Sequence, residues 1–291
     1  MTKTLRELVR EAETALLAGP HPERAKLDAD TLMLHVLKQD RAWLLTHEDD
    51  EAPDSSEYVG LVARRAAGEP IQYITGSSEF FGLPFSVGPG VLIPRPETEH
   101  LVEEVIRLAG QCKEDTLRIA DVGTGSGILA VALAHALPKA RIAAVDLSPQ
   151  ALLVARENAD RNEVADRIEF FEGDLLGPLA GRSFAIIASN PPYVPTGDLA
   201  SLAVEVREHE PHSALFAGED GLDVYRRLVP EAREHLLPDG WLVMEIGFGQ
   251  GDAVEELLQS DGYGEVHFVT DYQGIPRVAV GRFTTAVAGQ R

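Results

Sequence analysis

Cysteine is almost absent. Cys112 stands alone in 291 residues, so no internal disulfide can form and a reducing cytosol is the natural setting. Cys112 itself reads as an inert thiol near a helix end. Long apolar runs are missing too. No stretch approaches the roughly 18 residues that a membrane span needs, and none is expected. The opening Met1-Thr2-Lys3-Thr4-Leu5-Arg6-Glu7 has no apolar core of the signal-peptide kind, so no leader is expected. Positive charge is scarce. Lysine and arginine number 26 against 47 acids, a net charge of −21. Proteins that grip a phosphate backbone present a basic patch. Here Arg64-Arg65 and Arg226-Arg227 are flanked by acids and read as solvated helix faces. Direct DNA binding is therefore not expected. A basic protein partner fits, as does a partner already assembled with RNA, and acidity can also serve solubility or salt tolerance. Repeats and low-complexity segments are lacking. What is present is a 44% apolar composition, enough for a sizeable core, in a chain longer than one ordinary domain and short for three.

Residues 1–75 carry helical periodicity. Leu5, Leu8, Val9, Ala12, Ala15 and Leu16 share one face, and Gly19-Pro20-His21-Pro22 ends that helix. Ala25 to Leu37 predicts a second helix and Glu57 to Ala67 a third, stopped by Gly68. This bundle offers no catalytic constellation and reads as a partner-recognition domain. Residues 76–96 change character. Glu79 to Val87 alternates and is rich in aromatics, with a turn at Gly88-Pro89-Gly90, which predicts a linking β-hairpin. A helix follows near His100 to Ala109. Residues 97–291 form the third segment. From about 117 onward strands and helices alternate, with strands at 117–122, 141–146, 167–172, 183–188, 240–246, 264–270 and 276–283. Helices fall near 127–137, 149–160, 221–236 and 251–260. Several strands are apolar throughout, as in a parallel sheet covered on both faces. Only Tyr272-Gln273-Gly274 and their neighbours separate the last two strands, which demands a hairpin because a parallel crossover needs a dozen or more residues. The last eight residues are expected to fray.

Two motifs carry chemistry. The first is Asp121-Val122-Gly123-Thr124-Gly125-Ser126-Gly127. Its glycines sit between a strand and a helix, where backbone can approach a ligand at the helix N-terminus. The spacing differs from the dinucleotide fingerprint, and a plain turn is the alternative. Asp146, at the end of the next strand, can accept both hydroxyls of a ribose. It can also cap the following helix, although Ser148 is the better cap. Asp174, after the third strand, is placed to meet adenine N6 with Leu175 against the ring; otherwise it is a turn residue. Asp121 can hold an ammonium group or organise the loop amides. A cofactor without pyrophosphate and with a cationic sulfonium, S-adenosylmethionine, suits so acidic a site.

The second motif is Asn190-Pro191-Pro192-Tyr193, after the apolar run Phe184 to Ala188. Two prolines stiffen the loop and remove two donors. The Asn190 side-chain oxygen and the Pro191 carbonyl can hold the two N–H bonds of a planar NH2 group, with the Tyr193 ring against its plane. That is a holder for an amide or an exocyclic amine, and it fits methyl transfer to nitrogen.

With these residues in hand, the chain resembles the HemK/PrmC family, the protein-(glutamine-N5) methyltransferases of peptide chain release factors. The likeness runs through Ala25 to Ala29, Phe80-Phe81-Gly82-Leu83, Leu92 to Glu99, Asp121 to Gly127, Ser189 to Tyr193, Glu210-Pro211, Ala214-Leu215-Phe216 and Gly221-Leu222 with Tyr225-Arg226. It implies an α/β fold, the class I S-adenosylmethionine-dependent methyltransferase. This is a Rossmann-like, seven-stranded mixed sheet whose seventh strand runs antiparallel between the fifth and sixth. It also implies the substrate, the glutamine of the Gly-Gly-Gln loop in class 1 release factors, and a cytoplasmic setting; a monomer is expected. The Asn-Pro-Pro-Tyr motif is shared with DNA-adenine and RNA-guanine methyltransferases, so an amino-methyltransferase of nucleic acid is the alternative, against which the acid balance weighs.

In this reading Asn190, Pro191 and Tyr193 are catalytic. The cofactor is held by Asp121, Gly123, Thr124, Gly125, Ser126, Gly127, Asp146, Asp174, Leu175 and Asn190. The substrate meets Asn190, Pro191, Pro192, Tyr193, Arg95, Glu97 and Phe81. Glu97 and Glu99 can equally be acids at a helix start, and Phe81 can equally be core. Trp43 and Trp241 read as packing residues. His209, Glu210 and His212 lack zinc spacing and read as a loop that closes the site, so no metal is expected.

Overall fold

The computed structural model describes residues 3–52, 54–112 and 116–284. Its contacts divide the chain into two units, Met1–Ser77 with Leu202–His209, and Ser78–Ser201 with Glu210–Arg291.

In the first unit α1 (Leu5–Leu17) opens on a capping box. Thr4 accepts the Glu7 N–H at 3.2 Å and the Glu7 carboxylate accepts the Thr4 N–H at 2.9 Å, which satisfies two orphan donors. Helices α2 (Ala25–Leu37), α3 (Arg41–Thr46), α4 (Ser56–Ala66) and α5 (Ile71–Thr75) follow. Leu5, Leu8, Leu32, Met33, Leu44, Tyr58 and Ile74 meet in one core. The short α3 and α5 were not legible, because a helix of one or two turns shows no period. Trp43 is half-buried and stacks on His47, centroids 4.2 Å apart. At the edge of this core the buried Arg65 guanidinium pairs with Asp28 at 2.7 Å and with Glu205 at 2.8 Å.

The second unit begins with a hairpin, β1 (Ser77–Phe80) and β2 (Leu83–Ser86). It turns at Phe81-Gly82, not at Gly88 to Gly90. Both turn residues have positive φ, 53° and 70°, the geometry that matches strand twist in a two-residue turn. Helix α6 (Glu99–Ala109) leads into the sheet strands and their helices. These are β3 (Arg118–Val122), α7 (Ile128–Ala136), β4 (Arg141–Asp146), α8 (Pro149–Arg161), β5 (Ile168–Glu172) and β6 (Phe184–Ser189). The short α9 (Val204–His209) groups with the first unit. Then come α10 (Asp223–His235), β7 (Leu236–Glu245), α11 (Gly251–Ser260), β8 (Tyr263–Thr270) and β9 (Pro276–Phe283). The hairpin packs on α8 through Asn158, whose Oδ1 accepts the Ser86 N–H at 2.6 Å and whose Nδ2 donates to the Ser86 carbonyl at 3.0 Å. It is thus part of the second unit's own packing.

The seven-stranded order is β5-β4-β3-β6-β7-β9-β8. Strands β3 to β7 run parallel, and β9 runs antiparallel to both β7 and β8, as the short last loop demanded. Strand alternation sorts the core onto two faces. Ile119, Ile142, Ile186 and Val243 pack with α6 and α7 on one. Ala120, Ala143, Ile187, Leu242 and Met244 pack with α10 and α11 on the other. The expected fraying of the C-terminus falls, except for Thr284, outside the described residues.

Candidate active site

Strand order reverses between β3 and β6, and a crevice opens at such a switch point beyond the carboxyl ends of the strands. A cleft of about 410 Å³ lies there, lined by the ends of β3, β4 and β6 and by the turn after β5.

Its first wall is backbone. Gly123, Thr124, Gly125 and Ser126 line the cleft. Gly123 and Gly125 hold φ of 75° and 56°, and no protein atom stands within 4 Å of where a Cβ would be. A side chain there would be strained and would stand in open space beside the ligand. Asp146 stiffens this loop. Its Oδ2 accepts the Gly125 N–H and its Oδ1 the Ser148 N–H, both at 2.8 Å. Ser148, not Asp146, caps α8 by accepting the Ala151 N–H at 3.2 Å. Asp146 lines the cleft, and each carboxylate oxygen keeps a lone pair for a ligand hydroxyl. Leu147, Asp174 and Leu175 line the same side.

Asp121 stands behind the loop. It is fully buried and does not line the cleft. Its Oδ2 accepts the Thr124 hydroxyl at 2.6 Å and the Ala130 N–H at 3.0 Å. Burial pushes its carboxyl up to about 7, against those two hydrogen bonds. Of its two expected roles, the geometry matches organising the loop. Gly127 does not line the cleft either; it starts α7, packed against Ala155.

The second wall is the Asn-Pro-Pro-Tyr loop. Asn190 and Pro192 line the cleft, while Pro191 is buried. The loop is clamped from below. Gln250 donates to the Tyr193 carbonyl at 2.9 Å, and a Cβ on Gly221 would stand 2.2 Å from that same carbonyl. Asn190 Nδ2 donates to Thr98 Oγ1 at 3.2 Å, and the Thr98 hydroxyl donates to Glu245 Oε2 at 2.6 Å. Tyr193 corrects the sequence reading. It packs into the core beside α10 and α11, its hydroxyl donates to Glu245 Oε1 at 3.3 Å, and it does not line the cleft. Burial pushes Glu245 up to about 7 despite its bonds to Thr98 and Tyr193.

Arg95 lines the cleft and pairs with the buried Glu210. Glu210 also accepts the Ile93 N–H at 3.4 Å, while Pro211, Ser213 and Ala214 line the cleft. Of the segment read as a closing loop, His209 ends α9 in the first unit and only Pro211 lines the cleft. Among the described residues no group of three His, Cys, Asp or Glu is placed to hold a metal ion. Glu97 and Phe81 do not line the cleft. Glu97 is solvent-exposed at the turn before α6, and the Phe81 N–H is bound by Glu99 at 2.8 Å. Thr98, next to Glu97, is buried; the sequence reading gave it no role, yet it is the residue that reaches Asn190.

The site suits S-adenosylmethionine. Two carboxylates line the cleft, and its two arginines are each neutralised, Arg95 by Glu210 and Arg227 by Asp174. Among the described residues, no cation lining the cleft is left without an acid partner to grip a pyrophosphate.

Comparison with known proteins agrees. The family model of the PrmC N-terminal domain matches residues 7–76 and that of the methyltransferase small domain residues 101–207. The release factor glutamine methyltransferase of Koribacter versatilis is 44% identical over 286 residues, 97% of this chain and 100% of that one. That of Geobacter sulfurreducens is 45% identical over 268 residues, 91% and 92% of the two chains. A methyltransferase from Pyrococcus furiosus shares the fold with a TM-score of 0.52 at 18% identity, over 71% of this chain and 91% of that one. With 44–45% identity over nearly its full length to such relatives, the chain belongs to the release factor glutamine methyltransferase family.

Proposed function

We propose that this chain transfers a methyl group from S-adenosylmethionine to the side-chain amide nitrogen of the glutamine in the Gly-Gly-Gln motif of class 1 peptide chain release factors, in the cytoplasm. One observation carries the reading beyond family membership. Asn190 lines the cleft and donates one N–H to Thr98, which supports the use of its carbonyl as the acceptor for a substrate amide.

The chemistry needs such a holder. An amide nitrogen is a weak nucleophile, because its lone pair is delocalised into the carbonyl. Asn190 Oδ1 and the Pro191 carbonyl accept the two amide hydrogens and fix the nitrogen. Carbonyl acceptors also stabilise the positive charge that grows on nitrogen during transfer. Positioning supplies much of the remaining rate. The cofactor supplies an electrophilic methyl group on a sulfonium. Asp146 would hold its ribose, Asp174 and Leu175 its adenine, and the Gly123–Ser126 backbone its amino-acid end, as all of them line the cleft. The N–C bond would form as the S–CH3 bond breaks, leaving the neutral thioether of the spent cofactor, and the surplus proton would then pass from nitrogen to water.

The helical first unit takes the role of partner recognition, since it has a core and no chemistry. A chain beginning at Ser78 is expected to bind cofactor and to methylate a release factor poorly; full activity would remove this role. The function is tested by incubating the protein with labelled S-adenosylmethionine and a release factor, then mapping the mass gain by peptide. A methyl group on the Gly-Gly-Gln glutamine is expected. Label elsewhere, or none, would overturn the assignment.

A further inference from the structure

The amide of Asn190 has two faces of opposite polarity, and only one can serve. With Oδ1 toward the cleft it accepts from a substrate NH2. Turned over, it presents its own NH2 and repels the substrate. Shape does not separate the two states, because the amide oxygen and nitrogen are nearly equal in size. A polar neighbour has to choose.

We infer that Thr98 and Glu245 are positioning residues that hold the Asn190 amide with its carbonyl toward the acceptor nitrogen. This rests on the role proposed for Asn190. The three side chains come from elements that the fold brings together. Thr98 immediately precedes α6, Asn190 follows β6, and Glu245 ends β7, the parallel neighbour of β6. Thr98 and Glu245 are 0% and 3% exposed, so water does not scramble their bonds. The polarity runs one way. An ionised carboxylate only accepts. Glu245 takes the Tyr193 hydroxyl on Oε1 and the Thr98 hydroxyl on Oε2. Thr98 has one proton, and it is spent on Glu245. The lone pairs of Thr98 Oγ1 then face Asn190, which must donate Nδ2. A flipped Asn190 would set two acceptors against each other and leave a buried hydrogen bond unmade. The Tyr225 hydroxyl donates to the Glu245 carbonyl at 2.8 Å and pins the strand end that carries the carboxylate.

The test compares full-length Glu245→Gln, Thr98→Val, Thr98→Ser and Asn190→Ala. It measures kcat and KM for a release factor, cofactor Kd by calorimetry, and melting temperature. Glutamine keeps the shape of Glu245 but can donate, so it no longer dictates the direction of the Thr98 hydroxyl. Valine keeps the shape of threonine without the hydroxyl. Both are expected to lower kcat roughly 10- to 100-fold, the usual cost of losing an orienting partner, with KM and cofactor Kd unchanged. Thr98→Ser restores the donor and is expected to recover most of the rate lost in Thr98→Val. Wild-type kcat in both Glu245→Gln and Thr98→Val overturns the inference, and so does a loss confined to melting temperature or cofactor Kd. Asn190→Ala separates the levels. If it is crippled while the other two are normal, only the relay falls. If Asn190→Ala is itself fully active, the proposed role of Asn190 falls first.

Discussion

Asp121 and Glu245 are near twins in environment and opposites in use. Both are buried carboxylates on the sheet, Asp121 in β3 and Glu245 at the end of β7. Each accepts a threonine hydroxyl at 2.6 Å, and burial pushes each up to about 7. Yet Asp121 spends its second bond on the Ala130 N–H in α7, so it braces backbone. Glu245 spends its bonds on side chains, Thr98 and Tyr193, so it aims one. The difference follows from what each wall must hold. In the proposed function, a cofactor with many polar atoms would be cradled by main-chain groups that need only stay in place, whereas a single NH2 would be held by an amide that must also be the right way round.

The largest effect is expected on the aimed side. Asn190→Ala should cut the methylation rate by roughly 10²–10³, the cost of removing a preorganised polar contact at developing charge, with cofactor affinity intact. Asn190→Asp keeps an acceptor, adds negative charge and should fall between. Steady-state rates with a release factor, beside calorimetric Kd, check both. Equal rates for wild type and both variants would leave this loop without its role.

On the braced side the loss should appear in binding. Asp146→Ala removes a lining carboxylate and should weaken S-adenosylmethionine by about 1.5–3 kcal/mol, the range for hydrogen bonds to a charged group. Asp121→Ala leaves the Thr124 hydroxyl and the Ala130 N–H without their acceptor, at about 1–3 kcal/mol of stability for each unsatisfied group. Its melting temperature should drop and its cofactor Kd rise, while kcat at saturating cofactor stays close to wild type. A drop in kcat alone would make Asp121 resemble Glu245 and erase the contrast.

The last comparison is on pH. A carboxyl with a raised folded pKa keeps its proton where the unfolded chain has lost it. Stability is therefore full below the ordinary carboxylate range near 4 and falls as pH rises toward 7. Wild type should melt lower at pH 8 than at pH 5, by about 2–4 °C for each kcal/mol lost. Glu245→Gln and Asp121→Asn should each flatten that slope. Catalysis separates them. Glu245 sits among the Thr98 and Tyr193 hydroxyls, with Glu97 raising its pKa and Arg277 lowering it. It directs Thr98 only when ionised, so the wild-type rate should climb through pH 7. The climb should vanish in Glu245→Gln and persist in Asp121→Asn.

The sequence by itself determined the sheet and its order of events. Strands apolar throughout, glycine at the first turn and a last loop too short for a crossover mark the elements and the final hairpin, because these signals are local, while the strand order was implied by the family resemblance. The strands expected at 141–146 and 276–283 are β4 and β9 to the residue. Both motifs were legible for the same reason. So were the cleft-lining Gly123, Asp146, Asp174, Asn190 and Arg95. The tertiary structure alone decided how those residues are aimed. Asn190 and Thr98 are 92 residues apart in the chain, and Thr98 and Glu245 are 147 apart. Nothing in a local period says that they meet. Tyr193 read as a ring for the substrate because its neighbours are motif residues; in the fold its hydroxyl turns to Glu245, a buried acceptor that needs donors. Glu210 and Arg95, 115 residues apart, find each other in the same way. Periodicity reports which face of an element is apolar. Which buried polar groups satisfy one another depends on the packing of distant segments, and that is where the chemistry of this site is set.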